Sequence, residues 1–146
     1  MQKIFFHSTI NSFRLLNKKK IRLVLESIFN NEGAHLQSLN FVFCSDAYLL
    51  KINRDFLSHD FYTDIITFDL SEGDSGTTIG EVYISIDRVK ENALKLGILF
   101  NEELLRVIFH GALHLCGYKD KKKKEIAEMR KKEEQYLRLF EKLHSK

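Results

Sequence analysis

His110-Gly111-Ala112-Leu113-His114-Leu115-Cys116-Gly117-Tyr118-Lys119-Asp120 is an apolar run that carries two histidines, a glycine and a carboxylate. Residues four apart on a helix stand one turn plus about 40° from each other, so both imidazoles leave the same side. Gly117 is a helix-stop signal, and the turn it permits brings Asp120 back toward the histidines. Two neutral nitrogens and one carboxylate oxygen make a three-ligand set with the fourth tetrahedral position open. That is the plan of a catalytic zinc site rather than a structural one. The alternative is a pair of satisfied core histidines, to which the trailing carboxylate would contribute nothing.

The run lacks one part of the helical zinc-peptidase pattern, in which the residue after the first histidine is a glutamate acting as general base. Here that place is Gly111, which excludes that peptidase chemistry and leaves a metal-dependent hydrolase of another kind. Glycine inside a helix costs about 1 kcal/mol against alanine. A packing reason or a close approach to the metal is therefore expected. Cys116 lies about 200° round the helix from His114 and reads as a small core residue, not a fourth ligand.

At 146 residues the chain reads as one domain, residues 1–146, large enough to bury a core without covalent staples. Hydrophobic residues at 44% and charged residues at 29% fit a water-soluble globular protein. Two cysteines in apolar surroundings, Cys44 and Cys116, argue against a disulfide scaffold and for a reducing compartment. The N-terminal residues show neither a long apolar segment nor a small-residue cleavage site, and no stretch reaches membrane-span length. The expected location is cytoplasmic. The formal charge of +3 is unevenly spread. Residues 1–100 hold 11 basic against 12 acidic side chains, whereas residues 101–146 hold 12 against 8. The excess gathers at Lys119, Lys121, Lys122, Lys123 and Lys124, around Asp120. Such a run attracts anions, phosphate backbone among them; a solvated helix start is its bland reading.

Periodicity supplies the rest. Ile4–His7, Leu39–Cys44, Thr63–Leu70 and Ile79–Ile86 read as strands, with a polar loop over 71–78. Helices are expected over Lys18–Asn30, from a Ser45 or Asp46 cap to about Phe56, and from a Ser85 or Asp87 cap to Leu96. Asn101 is the expected cap of the histidine helix, with Glu102 and Glu103 favourable in its first turn. That helix is apolar round much of its circumference and should be largely buried. The last helix runs from Lys123 to Leu143, with Ile126, Met129, Tyr136, Leu137, Phe140 and Leu143 inward. Glu128 with Lys132 and Glu134 with Arg138 are i, i+4 pairs on its outer face. The sum is an α+β fold: a small four-stranded sheet packed with about five helices, its metal site on a buried one.

The segment from His110 to Tyr118 resembles the signature of the YbeY family, the bacterial endoribonucleases of ribosomal RNA maturation. Tyr62-Thr63-Asp64-Ile65-Ile66-Thr67-Phe68 is similar to the family's Thr-Asp-Val-Leu-Ser-Phe segment. Gly80-Glu81-Val82-Tyr83-Ile84-Ser85 is similar to its Gly-Asp-Ile-x-Ile-Ser strand. The likeness runs from about residue 45 to residue 130 with order and spacing kept. It implies one Zn2+ held by His110, His114 and Asp120, and cleavage of single-stranded RNA. It also implies a role in trimming small-subunit ribosomal RNA and in ribosome quality control. Small-subunit ribosomal proteins or an assembly GTPase are the implied protein partners.

Two departures from the family pattern matter. The usual motif ends Gly-Tyr-Asp-His, with that histidine as third ligand, whereas Asp120 stands there here. Aspartate is a sound zinc ligand, but its charge makes the metal a weaker Lewis acid. Many members also carry an arginine a few residues before the Thr-Asp pair, where this chain has Leu57, which cannot hold a phosphate. Arg54, Lys51 and His59 stand near enough in sequence to replace it. No general base is visible at a fixed spacing from the histidines, and Asp64 is a candidate to orient one of them. The rival readings are a non-catalytic, zinc-containing assembly factor that binds precursor ribosomal RNA, and a metallohydrolase of small phosphate esters.

Overall fold

Two glycines let the histidine helix lie on the sheet. The computed structural model describes residues 3–73 and 76–143. Its elements run β1 (Ile4–Ser8), α1 (Lys18–Asn31), β2 (His35–Cys44), α2 (Asp46–Leu57), β3 (Ile65–Asp69), β4 (Thr77–Ser85), α3 (Ile86–Leu96), α4 (Phe100–Leu115) and α5 (Lys123–Lys142). The strand order is β1-β2-β4-β3, with β1, β2 and β4 parallel and β3 antiparallel to β4. Among the described residues this is the expected α+β architecture, with four strands and five helices. Leu39, Phe41 and Phe43 of β2 stand beside Gly80, Val82 and Ile84 of β4, and all six turn to the main core. On that face pack Ile21, Val24, Leu25 and Ile28 of α1, with Val107, Ile108 and Ala112 of α4. The alternate residues of the strands meet α2 on the other face, where Cys44, Leu49 and Ile66 form a second, smaller cluster.

A Cβ at position 111 would stand 2.9 Å from Val82 and 3.0 Å from Ile65, and one at position 80 would meet Leu115 at 2.5 Å. The expected cost of Gly111 in a helix is therefore met by packing on β3 and β4, not by an approach to the metal. Ser45 and Ser85 are the N-caps of α2 and α3, accepting from Tyr48 N–H and Arg88 N–H. Gly97 closes α3 at φ 68°.

Several boundaries differ from expectation, each for a tertiary reason. β2 starts at His35 and β4 at Thr77, earlier than their apolar runs, because polar His35 and Thr77 face each other in the ladder. β3 starts at Ile65, since Thr63 and Asp64 lead into it and the Asp64 carbonyl accepts from Ser85 N–H. Of the expected loop over 71–78, Asp74 and Ser75 lie outside the described residues. Asn101 does not cap α4: that helix starts at Phe100 after Leu99, whose carbonyl receives Glu103 N–H, and the Phe100 ring packs edge-on to Phe13. In α5, Ile126 is 42% exposed instead of inward. The stripe is completed by Glu133, which is buried between Met129 and Tyr136. Lys132 pairs with Glu32, the residue that caps the end of α1, not within its own helix as expected with Glu128. Among the described residues no helix is long and apolar enough to cross a membrane.

Candidate metal centre

α4 ends in a reciprocal pair of backbone hydrogen bonds. Gly117 N–H donates to His114 O and Tyr118 N–H to Leu113 O, with Gly117 at φ 102°. This Schellman geometry satisfies the last carbonyls and reverses the chain. It has two results for the site. The Tyr118 carbonyl lies 2.9 Å from His114 Nδ1, and the reversed chain sets Asp120 Oδ2 3.2 Å from His110 Nε2 and 3.3 Å from His114 Nε2. The three residues expected from the sequence are thus brought together.

The donor set fits a metal. A carbonyl oxygen can only accept, so His114 carries its proton on Nδ1. His110 Nδ1–H likewise donates to Glu133 Oε2 at 2.6 Å. Both Nε2 atoms then point at one carboxylate oxygen, an arrangement that repels unless a proton or a metal cation lies between. Zinc bonded to nitrogen and oxygen at tetrahedral angles would separate its ligand atoms by about 3.3 Å, close to the two distances found. The partners on the far ring nitrogens are those that orient metal-binding histidines.

His110 is fixed by a buried charge network. Glu133, at 3% side-chain exposure, holds it. Arg106 donates to Glu133 Oε1 at 3.1 Å and clamps Glu103 through two bonds of 2.8 and 2.6 Å. Burial pushes the Glu133 carboxyl up, but the His110 bond and the Arg106 charge outweigh it and leave the group below the usual range. Burial likewise lowers Arg106, and its two carboxylates more than reverse this, so it stays charged. Glu103 lies in the first turn of α4 as expected, and is fully buried there. Glu133 and Arg106 were missed in the sequence. The available signal was a glutamate set in an apolar stripe, four residues after Met129 and three before Tyr136.

The three candidate ligands line an open cleft of about 830 Å³ beside edge strand β3. Asp64 lines it too, but does not orient a histidine as expected, because both Nδ1 atoms are already engaged. Its carboxylate accepts from Asn92 at 3.3 Å. Burial raises its pKa despite the charges of His110 and Arg106. Leu57, 39% exposed, forms part of the wall. Of the three residues suggested as replacements for an arginine there, His59 lines the cleft, while Arg54 is ion-paired to Asp60; Lys51 is not among the lining residues. Of the lysine run only Lys121 borders the cleft. Cys116 lies outside it, and burial pushes its thiol up to about 12.

The comparisons with known proteins agree in direction. The family model described as "Endoribonuclease YbeY" matches residues 6–141. A protein of that name from Cytophaga hutchinsonii is 49% identical over 138 residues, covering 94% of this chain and 96% of its own length. One from Porphyromonas gingivalis is 43% identical over 137 residues, covering 94% and 89%. The solution structure of TM1509 from Thermotoga maritima superposes with a TM-score of 0.66 at 32% identity, covering 94% of this chain and 88% of that one. With the histidine helix, its reversed end and the cleft beside β3 in place, the chain belongs to the YbeY endoribonuclease family.

Proposed function

We propose that this chain, acting as one domain over residues 1–146 in the cytoplasm, is a zinc-dependent endoribonuclease. Its substrate is single-stranded RNA, in the maturation of small-subunit ribosomal RNA and in ribosome quality control. The observation that carries the reading is the convergence of His110 Nε2, His114 Nε2 and Asp120 Oδ2, all within 4.8 Å of one another. When bound, Zn2+ supplies Lewis acidity toward a phosphate oxygen or a water. Glu133 and the Tyr118 carbonyl hold the two imidazoles in the tautomer that presents Nε2. Lys121 offers a positive charge to phosphate at the cleft edge. Asp64 stands on the wall of the same cleft, a carboxyl placed for proton transfer there.

The test is cleavage of single-stranded RNA by the zinc-loaded chain, with His114→Ala prepared identically. Cutting by the parent and none by the variant is expected; intact RNA with the zinc-loaded parent would reject the nuclease reading. Leu57 in the cleft wall favours a second reading, a non-catalytic assembly factor that binds precursor ribosomal RNA. RNA binding without cleavage would select it.

A further inference from the structure

α2 does not merge loosely into the chain that follows it. Ser58 takes φ 55° and turns the backbone, and Asn53, itself buried, ties down the next three residues. Its backbone carbonyl accepts His59 N–H at 3.0 Å, and its side-chain amide donates to Phe61 O at 2.9 Å. Arg54 and Asp60 close the outer side as an ion pair. This fixed backbone presents two rings to solvent. His59 and Phe61 stack with centroids 5.1 Å apart and planes 23° from parallel. Phe61 is nonetheless 54% exposed. Both rings line the cleft that holds His110, His114 and Asp120. Tyr62 beside them differs, because the Arg88 guanidinium already lies over its ring at 5.2 Å.

An exposed phenylalanine alone needs no explanation. A stacked pair on a tied-down loop, at the edge of a metal cleft, has the geometry of a platform whose remaining face accepts a flat π-system. Resting on the proposed nuclease function, we infer that His59 and Phe61 form a base-stacking subsite for an unpaired nucleobase next to the cleaved phosphate. Stacking on aromatic side chains is tolerant of base identity and requires a base free of its own neighbours. Bases inside a duplex have both faces covered, so the subsite selects single strands without reading sequence. The preformed backbone lowers the ordering cost of that contact.

The chain contains no tryptophan, so Phe61→Trp places a single fluorescent reporter in the subsite of the full zinc-loaded protein. The probe is a short 2′-O-methyl oligoribonucleotide that resists cleavage. Its binding is followed by anisotropy of a label on the RNA and by tryptophan emission. Quenching that saturates together with anisotropy is expected, and an abasic residue at one position should abolish the quenching. Phe61→Ala and Phe61→Leu should each weaken single-strand binding by about 5- to 100-fold, the leucine retaining bulk but lacking a π-face. Unquenched tryptophan emission on bound RNA, with parent-like affinity in Phe61→Ala and Phe61→Leu, would overturn the subsite and leave the nuclease reading standing. Failure of the zinc-loaded parent itself to bind the probe would overturn both.

Discussion

The two histidines face one oxygen, yet they are held there by different means. His114 is held by the backbone of its own helix end: Gly117 turns the chain, and the Tyr118 carbonyl meets the ring within four residues. His110 is held from a distance, by a glutamate twenty-three residues on that is itself pinned by Arg106 and Glu103. The first support is a local conformational motif, costing one glycine. The second is a charge network around two buried glutamates, and removing one member leaves its neighbours desolvated and short of a partner. A local motif should therefore fail gently and the network abruptly.

Glu133→Ala should produce the largest effect. It strips Arg106 and His110, whose side chains are 18% and 14% exposed, of a buried partner and should cost about 3 kcal/mol of stability, the low end for breaking a buried pair from one side. Zinc affinity should fall about 10–100-fold through loss of the ring's orientation. Urea unfolding and a chelator competition titration measure the two quantities, and a parent-like result in both would remove the network from the account.

Gly117→Ala should be milder. At φ 102° a side chain is strained, at a cost of about 1–3 kcal/mol. No atom lies near enough to clash, so the Tyr118 carbonyl shifts without being lost. Zinc affinity should fall less than in Glu133→Ala. A greater fall, in the same titration, would reverse the ranking of the two supports.

The smallest effect concerns Glu32, which steadies the local motif from the C-cap of α1. It accepts from the Tyr118 and Tyr136 hydroxyls at 2.6 and 2.7 Å and from Lys132 at 3.1 Å. Burial pushes its carboxyl up, and these bonds together outweigh that and hold it below its ordinary value. A carboxyl lowered on folding adds stability above its unfolded pKa, about 4.3, and that stability is lost as pH falls through the lower folded value. The stability gap between the parent and Glu32→Gln should thus be widest near neutrality and close on acidification below about pH 4. Urea midpoints across that range give the gap directly; a gap independent of pH would mean that Glu32 acts through packing alone.

The same contrast explains what the sequence made legible. The His110, His114 and Asp120 cluster follows from helical spacing and one glycine, and the structure brings those three together. The strands and helices followed from periodicity, because each buries one face. Glu133 was hidden because its role depends on where α5 docks, and a glutamate in a charged helix looks solvated until that is known. Glu103 stands in the first turn of α4 as expected; its burial was hidden for the same reason, because Arg106 and Glu133 decide it. Asn101 lies inside α4, whose cap is Leu99, with Phe100 at the helix start packed on Phe13. Gly111 was flagged correctly as costly, and only the sheet beneath it showed why.

The most direct test of the central claim is a histidine ring 15N–1H spectrum of the zinc-loaded chain. One zinc per chain is expected, with His110 and His114 both protonated on Nδ1 and both bonded to the metal through Nε2, unchanged between pH 6 and 8. Rings that titrate freely over that range, or carry their proton on Nε2, would contradict it.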